Sequence, residues 1–145
     1  RPMTLNDFYP HSYDYHLRKI VQRCRQHGTS PVLMTLPCLF PADLSLVGEG
    51  HRKKMHQPPF VPVGDIKSMR RLYEIYNGAV RQAAREEQAL LIEGEEFIAR
   101  RFDDQRDILF SDTCHPTVEG NQHLGWFIAE RLWEAYTGIL RVNSK

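Results

Sequence analysis

The chain has 145 residues, enough to bury one real core and too few for two ordinary domains. Its 19 basic and 18 acidic residues leave a net charge of +1, which excludes the electrostatic footprint of a nucleic-acid binder. The hydrophobic share of 41% is that of an ordinary globular domain, and no apolar run approaches the ~20 residues that cross a bilayer. Cys24, Cys38 and Cys114 are too few and too scattered for a disulfide framework, and none forms a Cys-x-x-Cys pair of the structural-zinc kind. Free thiols without a signal-peptide pattern point to a cytoplasmic protein.

Residues 1–9 read as the tail of a strand running into a loop. Tyr13, Leu17, Ile20, Val21 and Cys24 then recur at helical spacing, with Ser12 or Asp14 placed to cap the start and Gly28 to stop the end. The apolar run Pro31–Pro37 lacks alternation, which suits a strand buried on both faces. Residues 38–65 have no periodicity and carry Pro41, Pro58, Pro59 and Pro62, so they read as a long irregular loop. The basic cluster His51-Arg52-Lys53-Lys54 is a solvated stretch of that loop.

Asp65 or Ser68 caps the next helix, whose inner face carries Met69, Leu72, Tyr73, Tyr76, Val80, Ala83 and Ala84. Ala89–Glu93 reads as a second short buried strand, ended by Gly94. A charged connector with Asp103, Asp104 and Asp107 leads to Ile108-Leu109-Phe110. Thr117 caps a last helix with Leu124, Phe127, Ile128, Leu132, Ala135 and Tyr136 inward, closing at Gly138. This alternation of strands and helices argues for an α/β fold, a parallel sheet with flanking helices. Two complete strands are too few for a stable sheet. The sheet is therefore expected to be incomplete at the N-terminus, with an upstream segment, a partner chain or a homo-oligomer covering its open edge.

The chemistry concentrates in Ser111-Asp112-Thr113-Cys114-His115-Pro116-Thr117-Val118-Glu119-Gly120. A carboxylate three residues before a histidine, with a helix about to start, can fix the imidazole tautomer and support its charged form. The plainer alternative has Asp112 capping a turn and His115 packing against Trp126 or Trp133. No serine has a convincing nucleophile setting: Ser45 in Asp43-Leu44-Ser45-Leu46 lies in the proline-rich loop, not after a buried strand. Cys38, at the end of the first strand, could pair with His115 as a thiol nucleophile, or be a small buried hydrophobe. His51, His56 and the remaining histidines show no metal-ligand spacing.

Asp112-Thr113-Cys114-His115-Pro116 with Gly120, and Thr4-Leu5-Asn6-Asp7, resemble two sequence blocks of the SGNH (GDSL-type) esterase and lipase superfamily, with Thr4 where that family has glycine. The resemblance spans residues 4–136 and implies one domain over 1–145, the C-terminal portion of a flavodoxin-like three-layer α/β/α hydrolase. It implies a carboxylic-ester hydrolase working through an acyl-serine intermediate on a small-molecule ester, with no metal and no organic cofactor. His115 would be the general base, Asp112 its carboxylate partner, Asn6 an oxyanion-hole donor, and loop 38–65 a border of the substrate pocket. The family's Gly-Asp-Ser block is absent, so the nucleophile is expected outside this chain. That absence equally suits a non-catalytic interaction module that retains the scaffold. Neither reading involves nucleic acid or a membrane span.

Overall fold

The computed structural model describes Leu5, residues 7–55 and residues 65–143, with residues 139–143 described by backbone alone. Asn6 and Thr4, two residues of the expected oxyanion block, lie outside the described residues. Helix α1 (His11–Gln26) starts directly after Pro10, whose carbonyl accepts the Asp14 N–H at 3.0 Å. Ser12 and Asp14 thus sit inside the helix, and Asp14 pairs one turn on with Arg18 at 3.0 Å. Gly28 ends the run with a φ of +71°, the left-handed conformation glycine adopts without steric cost, and Thr29 reaches back to the Cys24 carbonyl at 2.9 Å.

Strand β1 (Val32–Met34) pairs in parallel with strand β2 (Leu90–Ile92), Val32 opposite Leu90 and Met34 opposite Ile92. Between them, helix α2 (Glu49–Lys54) is followed by the long crossover helix α3 (Ile66–Glu86). The Asp65 carboxylate accepts the Ser68 N–H at 2.6 Å and so caps α3. One face of the ribbon is closed by α1 and α3, where Val21, Leu33, Val80, Ala83 and Ala84 form a core cluster. Alanines at the contact let α3 approach the strands closely.

The expected three-layer α/β/α fold is not what the chain builds. It is mostly helical, 67% helix against 6% strand, and among the described residues its sheet holds only the two parallel strands. Each strand-like run yields just three paired residues, so the sheet is a ribbon on which helices pack rather than a central layer. Nor is β1 buried on both faces: Leu33 is in the core, but Val32 is 42% exposed. Apolar content without alternation does not by itself imply two-sided burial, since helices cover this strand on the Leu33 side.

Two segments read as irregular are helical. The basic cluster lies on α2, with His51 buried and Lys54 donating to the carbonyls of Asp107 and Phe110. The charged connector after β2 contains α4 (Gly94–Phe102) and the short α5 (Arg106–Leu109), joined by a tight turn at Asp103–Gln105. Gly94 therefore opens a helix rather than ending a strand, and a Cβ there would meet the Thr35 carbonyl oxygen at 2.8 Å. The last helix, α6 (Val118–Asn143), runs on past Gly138. A second core cluster, Leu39, Ile98, Leu109, Phe110 and Leu124, binds α4, α5 and the start of α6 together. Of the α6 residues expected inward, Leu124 is buried while Leu132 and Tyr136 face outward.

Candidate active site

The loop between α5 and α6 is held from three sides before any of its side chains acts. Phe110 and Pro116 form an isolated antiparallel bridge that closes it, and Ser111 donates its N–H to the His115 carbonyl at 2.9 Å. Thr117 donates its N–H to the Leu109 carbonyl at 2.8 Å, and its hydroxyl accepts the Gly120 N–H at 3.2 Å, the expected helix cap. Gly120 packs so tightly on α5 that a Cβ would fall 2.2 Å from the Leu109 carbonyl oxygen. On the third side, Leu39 donates its N–H to the Thr113 carbonyl at 3.0 Å and ties the loop to the chain leaving β1.

Behind this tie lies a buried charge cluster that no local sequence pattern announces. Arg106 is fully buried, bonds the Glu95 carboxylate at 2.8 Å and Asp103 at 2.7 Å, and donates to the Cys38 carbonyl at 2.7 Å. Arg70 approaches the same Glu95 carboxylate from α3. A fully buried charge survives only with this degree of pairing. Asp103 also accepts the N–H groups of Ala42 and Asp43. Burial alone would push its carboxyl up, but those N–H groups and Arg106 hold it below its ordinary value. Asp103 thus has a structural role, tying the charged connector to the chain after β1.

Asp112 and His115 are brought together. His115 Nδ1 lies 2.8 Å from Asp112 Oδ2 and 3.0 Å from Oδ1. Oδ1 also accepts the backbone N–H groups of Cys114 and His115, both at 2.9 Å. The turn-capping role and the imidazole-pairing role are therefore the same carboxylate doing both. Those two N–H groups, and then the imidazole, hold the Asp112 carboxyl down to about 2, so it is ionised across the physiological range. The His115 side chain is not packed into a core but 75% exposed, and Nε2 has no hydrogen-bond partner among the described residues. A base oriented at Nδ1 and open at Nε2 is the arrangement that proton transfer to or from an incoming group requires.

Beside the loop opens an apolar groove of about 250 Å³, walled by Met34 and Leu36, by Cys114 and Pro116, and by Leu124 and Ile128 of α6. The described part of loop 38–65, expected to border the pocket, contributes no residue to this groove, although Pro37, just before it, does. Cys114 stands at the junction of groove and base, its thiol 3.7 Å from His115 Nδ1. Its thiol is pushed up by burial and by the Asp112 charge.

The two other nucleophile candidates are placed elsewhere. Cys38 is fully buried, its Sγ donating to the Phe40 carbonyl at 3.7 Å. Burial, with the Glu95 charge, pushes its thiol up to about 12, so it is a small core residue rather than a reagent. Ser45 sits in a short turn capped by Asp43, which accepts its N–H at 2.9 Å. Ser111, next to the site in sequence, gives its hydroxyl to the His115 carbonyl at 2.9 Å. No protein-family model, curated protein or solved structure matches the chain.

Proposed function

We propose that the Asp112–His115 loop is the general-base half of a carboxylic-ester hydrolase, with a serine from outside this chain as nucleophile. The observation that carries this reading is the imidazole held at Nδ1 by an ionised carboxylate 2.8 Å away, with the rest of the ring exposed. In the proposed reaction, His115 Nε2 takes the serine hydroxyl proton as the oxygen attacks the ester carbonyl. It returns that proton to the departing alcohol, and the acyl-serine is then hydrolysed by water activated in the same way. Asp112 fixes the tautomer and stabilises the imidazolium. The apolar groove between β1 and α6 supplies a site for an acyl or alkyl group next to the base.

The test joins this chain to a segment bearing a nucleophilic serine and measures hydrolysis of p-nitrophenyl esters. Activity should disappear in His115→Ala, and Asp112→Asn should lower kcat by roughly 10,000-fold, the cost of a wrong imidazole tautomer in triad chemistry. Activity that survives His115→Ala sinks the assignment.

One observation favours the second reading, a non-catalytic interaction module: α6 turns Trp126 (79% exposed) and Trp133 (68% exposed) to solvent. Exposed aromatics of that size are enriched at protein interfaces. In that case no assembly containing the chain reacts with a fluorophosphonate probe.

A further inference from the structure

We propose that Asp112, Cys114 and His115 together form a binding site for a thiophilic divalent cation of the zinc class. The inference does not rest on the hydrolase reading, because it needs only the loop as folded. Three different ligand types, carboxylate, thiol and imidazole, present one atom each within 4.8 Å of one another. The sequence spacing, i, i+2 and i+3, is not a familiar zinc pattern, and it is the turn that makes it work.

One ligand pair already has the separation that zinc needs. Zinc bonds sulfur at about 2.3 Å and imidazole nitrogen at about 2.0–2.1 Å, so two such ligands at a tetrahedral angle stand about 3.6 Å apart. Cys114 Sγ and His115 Nδ1 stand 3.7 Å apart. Their bite matches the ion before it arrives. Asp112 Oδ2 is 2.8 Å from Nδ1, a hydrogen-bond distance that has to open by about half an ångström once a cation replaces the shared proton.

Asp112 can make that movement without losing the loop. Its other oxygen, Oδ1, keeps the N–H bonds of Cys114 and His115, so one oxygen orients the turn while the other ligates. The exposed face of the His115 ring leaves the fourth position open to water. Binding requires the Cys114 proton to leave for bulk solvent as the metal–sulfur bond forms, and the imidazole to bind neutral. Soft, borderline cations are preferred over calcium or magnesium. Because the cation occupies Nδ1, it displaces the Asp112–His115 hydrogen bond, and the loop then holds either a metal or an oriented base.

Cobalt(II) titrated into the purified chain, kept reduced with a phosphine, reads the site directly. The expected result is saturation at a single cation with a thiolate-to-cobalt charge-transfer band in the near ultraviolet, bleached by zinc. Cys114→Ser should abolish that band, His115→Ala should weaken binding by at least about tenfold, and Cys24→Ser should leave both unchanged. Far-ultraviolet circular dichroism confirms that each variant is folded. The absence of a thiolate band in the wild-type chain overturns the proposal. So does a band that persists in Cys114→Ser, or an affinity unaltered in His115→Ala. Loss of ester hydrolysis plays no part in these readouts, so the proposal stands or falls apart from the catalytic one.

Discussion

Arg106 and Glu95 meet 2.8 Å apart in the interior, and Arg106 hands a further hydrogen bond to the carbonyl of Cys38. One residue later, Leu39 binds the Thr113 carbonyl, so the buried pair is two links from the Asp112–His115 loop. Replacing Arg106 by methionine leaves the Glu95 charge with Arg70 alone and the Cys38 carbonyl unpaired. Unfolding in urea should show a loss of about 3–5 kcal/mol, the usual cost of breaking a buried ion pair from one side. A loss below about 1 kcal/mol would mean that the pair is not closed off from water.

Gly120 is a second point of control. A methyl group there would stand 2.2 Å from the Leu109 carbonyl oxygen, which is backbone and cannot swing aside. Gly120→Ala should cost about 1–3 kcal/mol by forcing α6 away from α5. Gly125→Ala, where nothing lies within 4 Å, serves as the control on the same helix and should be neutral or slightly stabilising.

Asp112 makes a pH dependence of definite sign. Its carboxyl is held at about 2 when folded, against an ordinary value of 3.8, so the folded state favours the ionised form. The contribution to stability is complete above the ordinary value and is lost as pH falls through the folded one. Melting temperatures of the wild type and Asp112→Asn, compared from about pH 5 down to about pH 2, should differ most at the upper end and converge at the lower. Curves that run parallel across this window contradict the arrangement of hydrogen bonds at the carboxylate.

The thiols should separate by accessibility. Cys38 is fully buried with its thiol pushed up to about 12, whereas Cys24 and Cys114 are partly exposed. Mild alkylation of the native protein followed by peptide mass mapping should leave Cys38 unmodified until denaturant is added. Labelling of native Cys38 at a rate like that of Cys114 refutes its placement in the core.

The Asp–His pair was legible because its information is local. A carboxylate three residues before a histidine, a proline and a small helix-capping residue specify a tight turn, and the turn itself brings the two side chains together. The capping role of Asp65 was readable for the same reason. The charge cluster was not, since Glu95 and Arg106 look like surface residues of a polar stretch. They are buried where α4 and α5 meet Arg70 of α3 and the chain leaving β1. The fold class failed on a related point: alternation of apolar runs and helices gives the order of elements but not the width of the sheet. Three paired residues per strand are too few to organise layers. Cys114 carries no such signal in the sequence, because its neighbours in the folded loop are an imidazole and a carboxylate rather than a second cysteine.

Both tryptophans of the chain, Trp126 and Trp133, lie on the outer side of α6 and are mostly exposed. Intrinsic indole emission should therefore report on the hydration of that one helix and already be close to that of a water-surrounded ring in the native state. Denaturation followed by fluorescence would register little while the interior melts. A quenching of exposure, by contrast, would light up at once if another molecule came to rest on α6. The chain thus carries an optical probe that should respond more to whatever docks against its longest helix than to the melting of its core.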